Sequence, residues 1–336
     1  MLRLGVLDQS PVLAGEGAEE ALRHTLALAR LADRLGYSRF WVSEHHNAKG
    51  LAGSSPEVLL AAVGAHTSRI RIGSGGVLLP HYSPYKVAEN FRLLEGLYPG
   101  RVDLGVGRAP GGMPIVSQAL GRLAGTDREE AFERALTELG AFVGTGHPLE
   151  GAHPLAGLSA TPDVRTAPDV WMLGSSGYSA TVAAKLGAKF AFAHFINGYG
   201  GQDAMRDYLR HYRVGPLGSR PGTAVCVFVL CGADDEEAER EARSLDLRLL
   251  YLEQGQFHRA VPTAEEASDY PYSAWDRARI ADNRSRMVVG GPAKVARLLP
   301  ALASSYGTDE VIVTGMMSRA DSRLQSYERL AALFLR

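Results

Sequence analysis

Residues 39–47 read RFWVSEHHN, an apolar run suited to a buried strand that passes directly into serine, glutamate and two histidines. The arrangement recurs along the chain, where apolar runs end in GSGG at 73–76, GVGRAP at 105–110, GSSGY at 174–178 and HFIN at 194–197. Polar and glycine-rich segments after successive strands are typical of a (β/α)8 barrel, whose active site lies at the carboxyl ends of its strands. The sequence therefore predicts an α/β fold, a (β/α)8 TIM barrel with insertion loops.

Helical segments alternate with the apolar runs. A segment from Ala18 to Leu35 has leucines at helical spacing and stops at Gly36, a residue type that commonly follows a helix end. Ser55-Pro56 and Ser83-Pro84 each combine a capping hydroxyl with a proline at the first helical position. Further helices are predicted near residues 127–143, 179–186, 202–212, 236–250 and 293–304, and eight strands near Leu4, Arg39, Ile70, Val102, Val170, Phe190, Val225 and Val311.

No linker divides the chain, so residues 1–336 are predicted to form a single barrel domain. Two segments exceed the minimal repeat, a Gly-, Pro- and His-rich one at about 144–167 and a polar, aromatic-containing one at about 252–286. Long insertions in a compact enzyme are often lids or substrate loops, and disorder is the alternative. Five aromatic residues are candidates for an apolar substrate pocket or for ordinary packing: Tyr82, Phe195, Tyr199, Phe257 and Trp275.

The charge is almost balanced, with 36 basic and 37 acidic residues, so neither nucleic acid nor an anionic membrane is an expected partner. The first six residues lack a signal-peptide core, and no apolar run reaches the roughly 20 residues that a membrane span requires. We therefore expect a cytoplasmic protein with a small-molecule substrate. Cys226 and Cys231 lie in an apolar run and are predicted to be buried thiols rather than a disulfide or a metal site.

The strand-to-helix turn Gly174-Ser175-Ser176-Gly177-Tyr178-Ser179 is a candidate phosphate site. Its free backbone N–H groups, its hydroxyls and the positive end of the following helix suit a phosphate monoester. Arg108 follows a flexible glycine-rich segment and would supply a matching cation with bidentate donors. The alternative is a plain helix N-cap, which a serine alone would explain.

Gly75 and Gly76 follow the third predicted strand, where paired glycines permit the close approach of a flat ligand. A backbone bulge is the alternative at this position. The segment from Gly105 to Gly111 begins like a dinucleotide-binding fingerprint, but its glycine spacing is wrong and Pro110 would break the helical turn. Direct tight binding of NAD(P)H is therefore not predicted.

Glu44, His45 and His46 form a candidate proton-handling group. A strand-end imidazole beside a carboxylate can be held in one tautomer and titrate near neutrality. Adjacent strand residues face opposite sides, so both histidines cannot point into the barrel, and rim histidines bonded to backbone are the alternative. A metal site of Glu44, His45, His46, His81 and His194 is conceivable, but their spacing matches no metal-binding motif, so no metal is predicted.

These segments together resemble the bacterial luciferase-like flavin monooxygenases, and most of all their single-chain, alkanal monooxygenase-like members. The resemblance rests on the runs RFWVSEHH at 39–46, SSPE at 54–57, RIRIGSGGVLLP at 69–80, HYSP at 81–84 and GRVDLGVGR at 100–108. It continues through the candidate phosphate loop into VGGPAKV at 289–295 and TDEVIV at 308–313. It therefore covers nearly the whole chain.

The resemblance implies specific site residues. In that family FMN lies across the top of the barrel, so the flavin would contact Ser74, Gly75 and Gly76. A non-prolyl cis peptide is common at this strand end and would fall here at Ser74-Gly75 or Gly75-Gly76. The catalytic histidine corresponds to His45, with Glu44 beside it. The implied phosphate-binding residues are Arg108, Ser175, Ser176, Gly177, Tyr178 and Ser179.

Two departures limit the resemblance to the light-emitting members. Gly107 stands where those proteins have a reactive cysteine beside the flavin, and Ser175 stands where they have a glutamate in the phosphate loop. Light emission is therefore not predicted.

The resemblance implies a two-component monooxygenase, in which reduced FMN from a separate NAD(P)H:flavin reductase reacts with O2 and a small organic substrate. It also implies a homodimer, formed through residues 56–67 and 84–97. The alternatives are a deazaflavin (F420) dependent oxidoreductase, a flavin-binding protein without turnover and a metal-dependent barrel hydrolase.

Overall fold

Parallel strands close into a barrel in the computed structural model, which describes residues 2–109, 114–120 and 129–335. The strands of this part of the chain are β1 (Arg3–Asp8), β2 (Arg39–Val42), β3 (Arg71–Ser74), β4 (Val77–Leu78), β5 (Val102–Gly107), β6 (Asp169–Gly174), β7 (Lys189–Ala193), β8 (Thr223–Cys231), β9 (Met287–Gly290) and β10 (Glu310–Thr314). β10 pairs with both β1 and β8, which closes a ring of eight strands in the order β1-β2-β3-β5-β6-β7-β8-β10. The (β/α)8 barrel predicted from the sequence is confirmed.

Two short strands lie outside the ring, and the sequence did not predict them. β4 pairs with the end of β5 through Val77 and Leu78. β9 pairs with residues 228–231 at the end of β8, whereas β7 pairs with residues 223–226 of β8 and β10 with residues 225–228. β4 has two residues, too few to show an apolar period, and β9 directly follows the polar second insertion.

Helices cover the outside of the ring, and most begin where the sequence placed a cap or a proline. They are α1 (Ala18–Leu35), α2 (Pro56–Ala65), α3 (Pro84–Leu97), α4 (Pro114–Ala119), α5 (Glu129–Val143), α6 (Gly177–Leu186), α7 (Gly201–His211), α8 (Asp235–Glu253), α9 (Ala264–Asp269), α10 (Ala274–Arg284), α11 (Pro292–Ser305) and α12 (Ala320–Phe334). α1 ends as predicted at Gly36, whose φ of 86° is left-handed. The predicted start of a helix near residue 127, and Pro110 and Gly111, lie outside the described residues.

The two predicted insertions differ in structure. Residues 144–168 connect α5 to β6 without a helix or strand. The second insertion contains α9 and α10, and each of these helices begins with a capping box, at Thr263 and at Ser273. This segment is therefore built from two capped helices that pack beside α8.

Buried charges close the amino-terminal end of the barrel. Arg39 at the start of β2 donates to Glu310 of β10 at 2.7 Å and to Asp103 of β5 at 2.5 Å. Asp103 also accepts from Trp41 Nε1 and from Arg71 Nε, each at 2.9 Å. A buried charge is costly unless it is paired, so this network ties β2, β3, β5 and β10 together at the end opposite the chemical residues.

The helices of the described residues were also compared with the length and hydropathy that a membrane span needs. None of them is long and apolar enough to cross a bilayer.

Candidate active site

A cavity of about 570 Å³ opens at the carboxyl ends of the strands. Every strand of the closed ring contributes to its wall, either directly or through one of the two residues that follow it. One example from each strand is Leu7, Trp41, Gly75, Gly107, Leu173, Ala191, Cys226 and Met316. Five segments that the sequence singled out contribute residues to this wall, as expected for a barrel whose strand ends converge.

His45 lines the cavity just beyond the end of β2. Its Nδ1 lies 3.0 Å from Ser43 Oγ, and its backbone N–H donates to Gly53 O at 2.9 Å, which fixes the loop that carries it. His46 is held differently, because its Nε2 lies 2.6 Å from Glu44 Oε1. The structure therefore brings His45 to the cavity and turns His46 toward a carboxylate.

Glu44 is buried and its carboxylate is fully engaged. Oε1 accepts from the Tyr82 hydroxyl at 2.6 Å in addition to its contact with His46, and Oε2 accepts from the backbone N–H of Leu78 at 2.9 Å. The expectation that this carboxylate would orient His45 is wrong, since its imidazole partner is His46. Glu44 instead joins the end of β2 to β4 and to the turn that carries Tyr82.

The expectation that His45 titrates near neutrality is also wrong. Burial disfavours the charged ring, and the positive charge of Arg248 disfavours it further, so the pKa of His45 is lowered to about 4. The sequence pairs His45 with an acid, but the folded chain surrounds it with apolar atoms and positive charge. At neutral pH the ring is neutral, and it can accept a proton at one nitrogen while donating from the other.

We expect the His45 ring to show no titration by NMR between about pH 5.5 and 8, with the ring signals assigned from a His45→Gln variant. In the urea-unfolded chain the same ring should titrate at about 6.5. Because the folded protein binds fewer protons between about pH 4 and 6.5, His45 lowers stability as pH falls through that window and has no such effect above it. A folded-state midpoint near neutrality would contradict this expectation.

The end of β3 supplies a glycine wall. Gly75 and Gly76 line the cavity, and the peptide bond between them is cis, which confirms the second of the two predicted positions. A Cβ at Gly76 would lie 2.6 Å from Leu173 Cδ1 and 2.7 Å from Gly105 O, so a larger residue does not fit. Ser74 is turned away from the cavity, and its buried hydroxyl donates to Gly105 O at 2.8 Å.

The candidate phosphate site gathers at the ends of β5 and β6. Ser175, Ser176, Ser179 and Arg108 all line the cavity. Ser176 is the N-cap of α6, and its side chain makes no capping bond, so the first N–H groups of that helix remain available to an anion.

The partners of Arg108 leave it accessible to an anion. Its guanidinium lies 4.1 Å from the centroid of the Tyr178 ring and 3.3 Å from Glu129 Oε1. The Glu129 pair is solvent-exposed on both sides and is therefore weak. Gly177 begins α6, and Tyr178 supports Arg108 without lining the cavity itself.

The remaining histidines of the conceivable metal set do not join His45. His194 is buried, and its Nδ1 lies 2.8 Å from the Tyr306 hydroxyl, away from the cavity wall. In the described parts of the chain, no group of three or more His, Cys, Asp or Glu side chains could hold a metal ion.

The five candidate aromatics separate into different roles. Phe195 lines the cavity, and Tyr82 serves Glu44 from the neighbouring turn. Tyr199 and Trp275 are exposed to 67% and 55%, and Phe257 is exposed as well. Of the two alternatives, the pocket is confirmed for Phe195, whereas Tyr82, Tyr199, Phe257 and Trp275 are not part of the cavity wall.

Several lining residues were not anticipated from the sequence. Gln9 follows β1, where the polar Asp8-Gln9-Ser10 segment after an apolar run gave the same signal as the other strand ends. Leu249, Leu252 and Arg286 come from α8 and from the end of the second insertion, where nothing local marks a cavity. Cys226 is buried as predicted, yet it also lines the cavity, and burial raises the pKa of its thiol far above the ordinary value.

Comparison with known sequences gives matches along nearly the whole chain. A family model described as luciferase-like monooxygenase matches residues 2–309. The chain is 51% identical over 335 residues to the uncharacterised protein YwcH of Bacillus subtilis, covering 99% of each. It is 38% identical over 332 residues to the N-acetyl-S-alkylcysteine monooxygenase of the same organism, covering 98% of each. The resemblance drawn from the motifs is confirmed.

Solved structures agree. The apo-MsnO8 structure is 38% identical, with a TM-score of 0.89 and coverage of 100% of this chain and 99% of that one. Two distant structures show a likeness of fold alone. The oxygenating constituent of a Pseudomonas putida 3,6-diketocamphane monooxygenase, in complex with FMN, is 19% identical, with a TM-score of 0.71 and coverage of 98% of this chain and 96% of that one. An F420-dependent secondary alcohol dehydrogenase with an F420-acetone adduct is 14% identical, with a TM-score of 0.64 and coverage of 99% of this chain and 98% of that one. Its sequence and its fold together make this chain a member of the luciferase-like monooxygenase family and a monooxygenase enzyme.

Proposed function

We propose that this chain is the oxygenating component of a two-component system, which uses reduced FMN and O2 to oxygenate a small organic substrate. The observation that carries the proposal is the order of the strand ends. One cavity is lined from four consecutive strands of the ring, β2, β3, β5 and β6. In that order, their ends carry His45, the Gly75-Gly76 wall, Arg108 and the serines before α6. A proton-handling group and a phosphate cradle thus lie on either side of a flat glycine surface.

The residues present fit FMN. The uncapped N-terminus of α6 and the weakly paired Arg108 suit a phosphate dianion, and Ser175, Ser176 and Ser179 add hydroxyl donors. Gly107 leaves room on the β5 side, because a Cβ there would meet no atom within 4 Å. When bound, reduced FMN would supply the electrons that activate O2.

Each protein group then has a defined task. Neutral His45 would hold or move a proton at the reacting edge of the flavin, and the glycine wall would seat the flavin ring. Glu44 would act by position, since its three hydrogen bonds fix the ends of β2 and β4. Ser74 would contribute through its backbone, because its hydroxyl is committed to Gly105 O.

The rest of the cavity supports an apolar portion of the substrate. Phe195, Phe228, Leu249, Leu252 and Met316 line it. The 38% identical relative is named for N-acetyl-S-alkylcysteine, a small thioether with an apolar alkyl group. We infer a substrate of similar size and mixed polarity, and the cavity beside His45 favours turnover over simple flavin storage.

FMN is favoured over F420 as the cofactor. The relative at 38% identity is named a monooxygenase, whereas the F420 structure is 14% identical and supports the fold alone. The single helix N-terminus with one cation also matches one phosphate monoester. A protein that only binds flavin remains the alternative outside catalysis.

The proposal is tested by mixing the protein and anaerobically reduced FMN with oxygenated buffer in a stopped-flow spectrometer. We expect a transient flavin spectrum that differs from both the reduced and the oxidised forms and outlives the same phase in a free-FMN control. Reoxidation indistinguishable from free FMN would overturn the proposal. Titration with F420 would then distinguish the deazaflavin alternative from a flavin carrier.

Arg108→Met should weaken FMN binding by about 10- to 100-fold, because a charge-assisted bond to the phosphate is lost. Riboflavin has no phosphate and loses no charge-assisted bond in this variant, so its affinity should change by less than about twofold. Flavin fluorescence titration measures both. Lys185→Met removes an exposed cation of α6 that pairs with Glu133 and is the matched control. Equal losses for FMN and riboflavin would contradict the phosphate assignment.

We propose further that the chain is one cytoplasmic domain that receives flavin from an NAD(P)H:flavin reductase and forms a homodimer. The exposed apolar side chains Val58 of α2 and Leu93 and Leu97 of α3 support the predicted dimer surface. Large exposed apolar patches often mark surfaces that another protein chain covers.

A further inference from the structure

Arg248 of α8 is a buried cation that has no hydrogen-bond partner in the part of the chain that the structure describes. Its side chain is completely buried, and none of its three guanidinium nitrogens has a hydrogen-bond acceptor among the described residues. Burial lowers its pKa to about 10, and no nearby carboxylate offsets that effect. The arginine therefore remains charged at neutral pH while its five N–H donors are unused.

The other buried arginines of the described residues are all satisfied. Arg39 is paired with Asp103 and Glu310, Arg323 with Asp8, and Arg92 donates to backbone carbonyls and to Asp163. An unpaired buried charge costs several kcal/mol, and a native structure usually satisfies such a group with an ion or a ligand. Arg248 thus differs from its counterparts in needing an anion.

The position of Arg248 relates it to the cavity. Arg248 does not itself line the cavity, but Leu249 and Leu252 of the same helix do, so it lies within one helical turn, about 5.4 Å of rise, of residues that face it. A carboxylate in the cavity would reach the guanidinium once the side chains between them move aside. On its other side it packs against the loop that carries His45, because a Cβ at Gly50 would lie 2.8 Å from Arg248 Nη2. The phosphate cradle has its own cation, Arg108, so Arg248 is a second and separate positive group.

We propose that Arg248 recognises a carboxylate of the substrate, so that this enzyme acts on small organic anions rather than on neutral compounds. The inference rests on the proposed function and gives the substrate class of the same cavity. The guanidinium offers two parallel N–H donors to a carboxylate, and in a site without bulk water such a bidentate pair is strong and selective. The apolar part of the substrate would then lie along Leu249 and Leu252, toward the reacting centre beside His45.

The test compares two ligands of the same shape, N-acetylmethionine and its neutral carboxamide, by calorimetry and thermal shift on the flavin-free protein. We expect the acid to bind at least tenfold more tightly than the amide. Arg248→Met should reduce acid binding to the level of the amide, and Arg248→Lys should retain part of the difference. Without ligand, Arg248→Met should have an unchanged or higher Tm, because an unpaired buried charge is removed.

Arg286→Met is the matched control. Arg286 lines the same cavity, but its guanidinium already donates to the carbonyls of Phe195 and Ile196 and to Asn283, so the preference for the acid should persist. Loss of the preference in this variant and not in Arg248→Met would overturn the inference. Equal binding of acid and amide, no saturable binding of the acid, or a large fall in Tm of unliganded Arg248→Met would also overturn it.

The same samples separate this inference from the proposed function. FMN titration reports the phosphate cradle and does not involve Arg248. If FMN fails to bind while the acid is still preferred, the cofactor proposal is wrong and the anion site stands. If FMN binds and reacts with O2 while acid and amide bind alike, the anion site is wrong and the cofactor proposal stands.

Discussion

Replacing His45 by alanine should slow oxygenation by about 10²- to 10⁴-fold, the usual contribution of a positioned proton-transfer group. His45 lines the cavity at the end of β2, and its lowered pKa leaves the ring neutral and able to donate or accept at neutral pH. Its loss leaves the phosphate cradle and the glycine wall intact, so the dissociation constant of FMN should stay within about threefold, well under the effect of one charged contact. Stopped-flow turnover and flavin titration measure the two quantities separately.

The adjacent histidine supplies the control. His46 bonds to Glu44 and does not line the cavity, so His46→Gln should reduce turnover far less than His45→Ala. Equal losses in the two variants would mean that the loop as a whole, and not the His45 ring, matters. Normal turnover by His45→Ala would remove the proton-handling role.

Replacing Asp103 by alanine should lower the free energy of unfolding by about 3–5 kcal/mol, the cost of breaking a buried ion pair from one side. Asp103 is fully buried and bonded to Arg39, Trp41 and Arg71. Among the described residues, the variant leaves the guanidinium of Arg39 with Glu310 as its one hydrogen-bond partner, and it removes a hydrogen-bond partner of the Trp41 ring. Denaturant unfolding, with the slope compared between variants, measures the loss.

The acidity of Asp103 makes the effect depend on pH. Burial opposes its ionisation, but the charges of Arg39 and Arg71 outweigh burial and lower the pKa of the carboxyl. Its stabilising contribution is therefore present above the ordinary value of about 3.9 and is lost as pH falls through the lower folded-state value.

Asp169 gives the comparison for this prediction. It pairs with Arg71 and Lys189 at the same end of the barrel but is 38% exposed, so Asp169→Ala should cost less than about 1 kcal/mol. A similar loss for the two aspartates would contradict the assignment of Asp103 to a buried network. Retention of full stability by Asp103→Ala would do so as well.

Local signals predicted much of the barrel. Buried strands followed by capped helices can be recognised in the sequence, because their signals are local. These signals are apolar runs, Ser-Pro pairs at helix starts and a glycine after α1. β4 was missed because two residues carry almost no pattern of their own, and β9, as short as β2 and β3, was missed where it directly follows the polar second insertion. The cis bond at Gly75-Gly76 was predicted from family resemblance and not from periodicity.

The site was predicted in part for the same reason. Strand ends converge in any such barrel, so His45, the paired glycines, Arg108 and the serines before α6 could be placed at one mouth from sequence order. Leu249 and Arg286 could not, because they reach the cavity from a helix and an insertion whose packing no local pattern records.

The sequence by itself determined the barrel, the strand ends that carry the chemistry and the family to which the chain belongs. Only the tertiary structure decided which acid partners which histidine, how far burial and Arg248 lower the pKa of His45, and that Arg248 has no hydrogen-bond partner among the described residues. The physical reason is that strand and helix patterns are properties of adjacent residues, whereas solvation and charge depend on groups that only folding brings together.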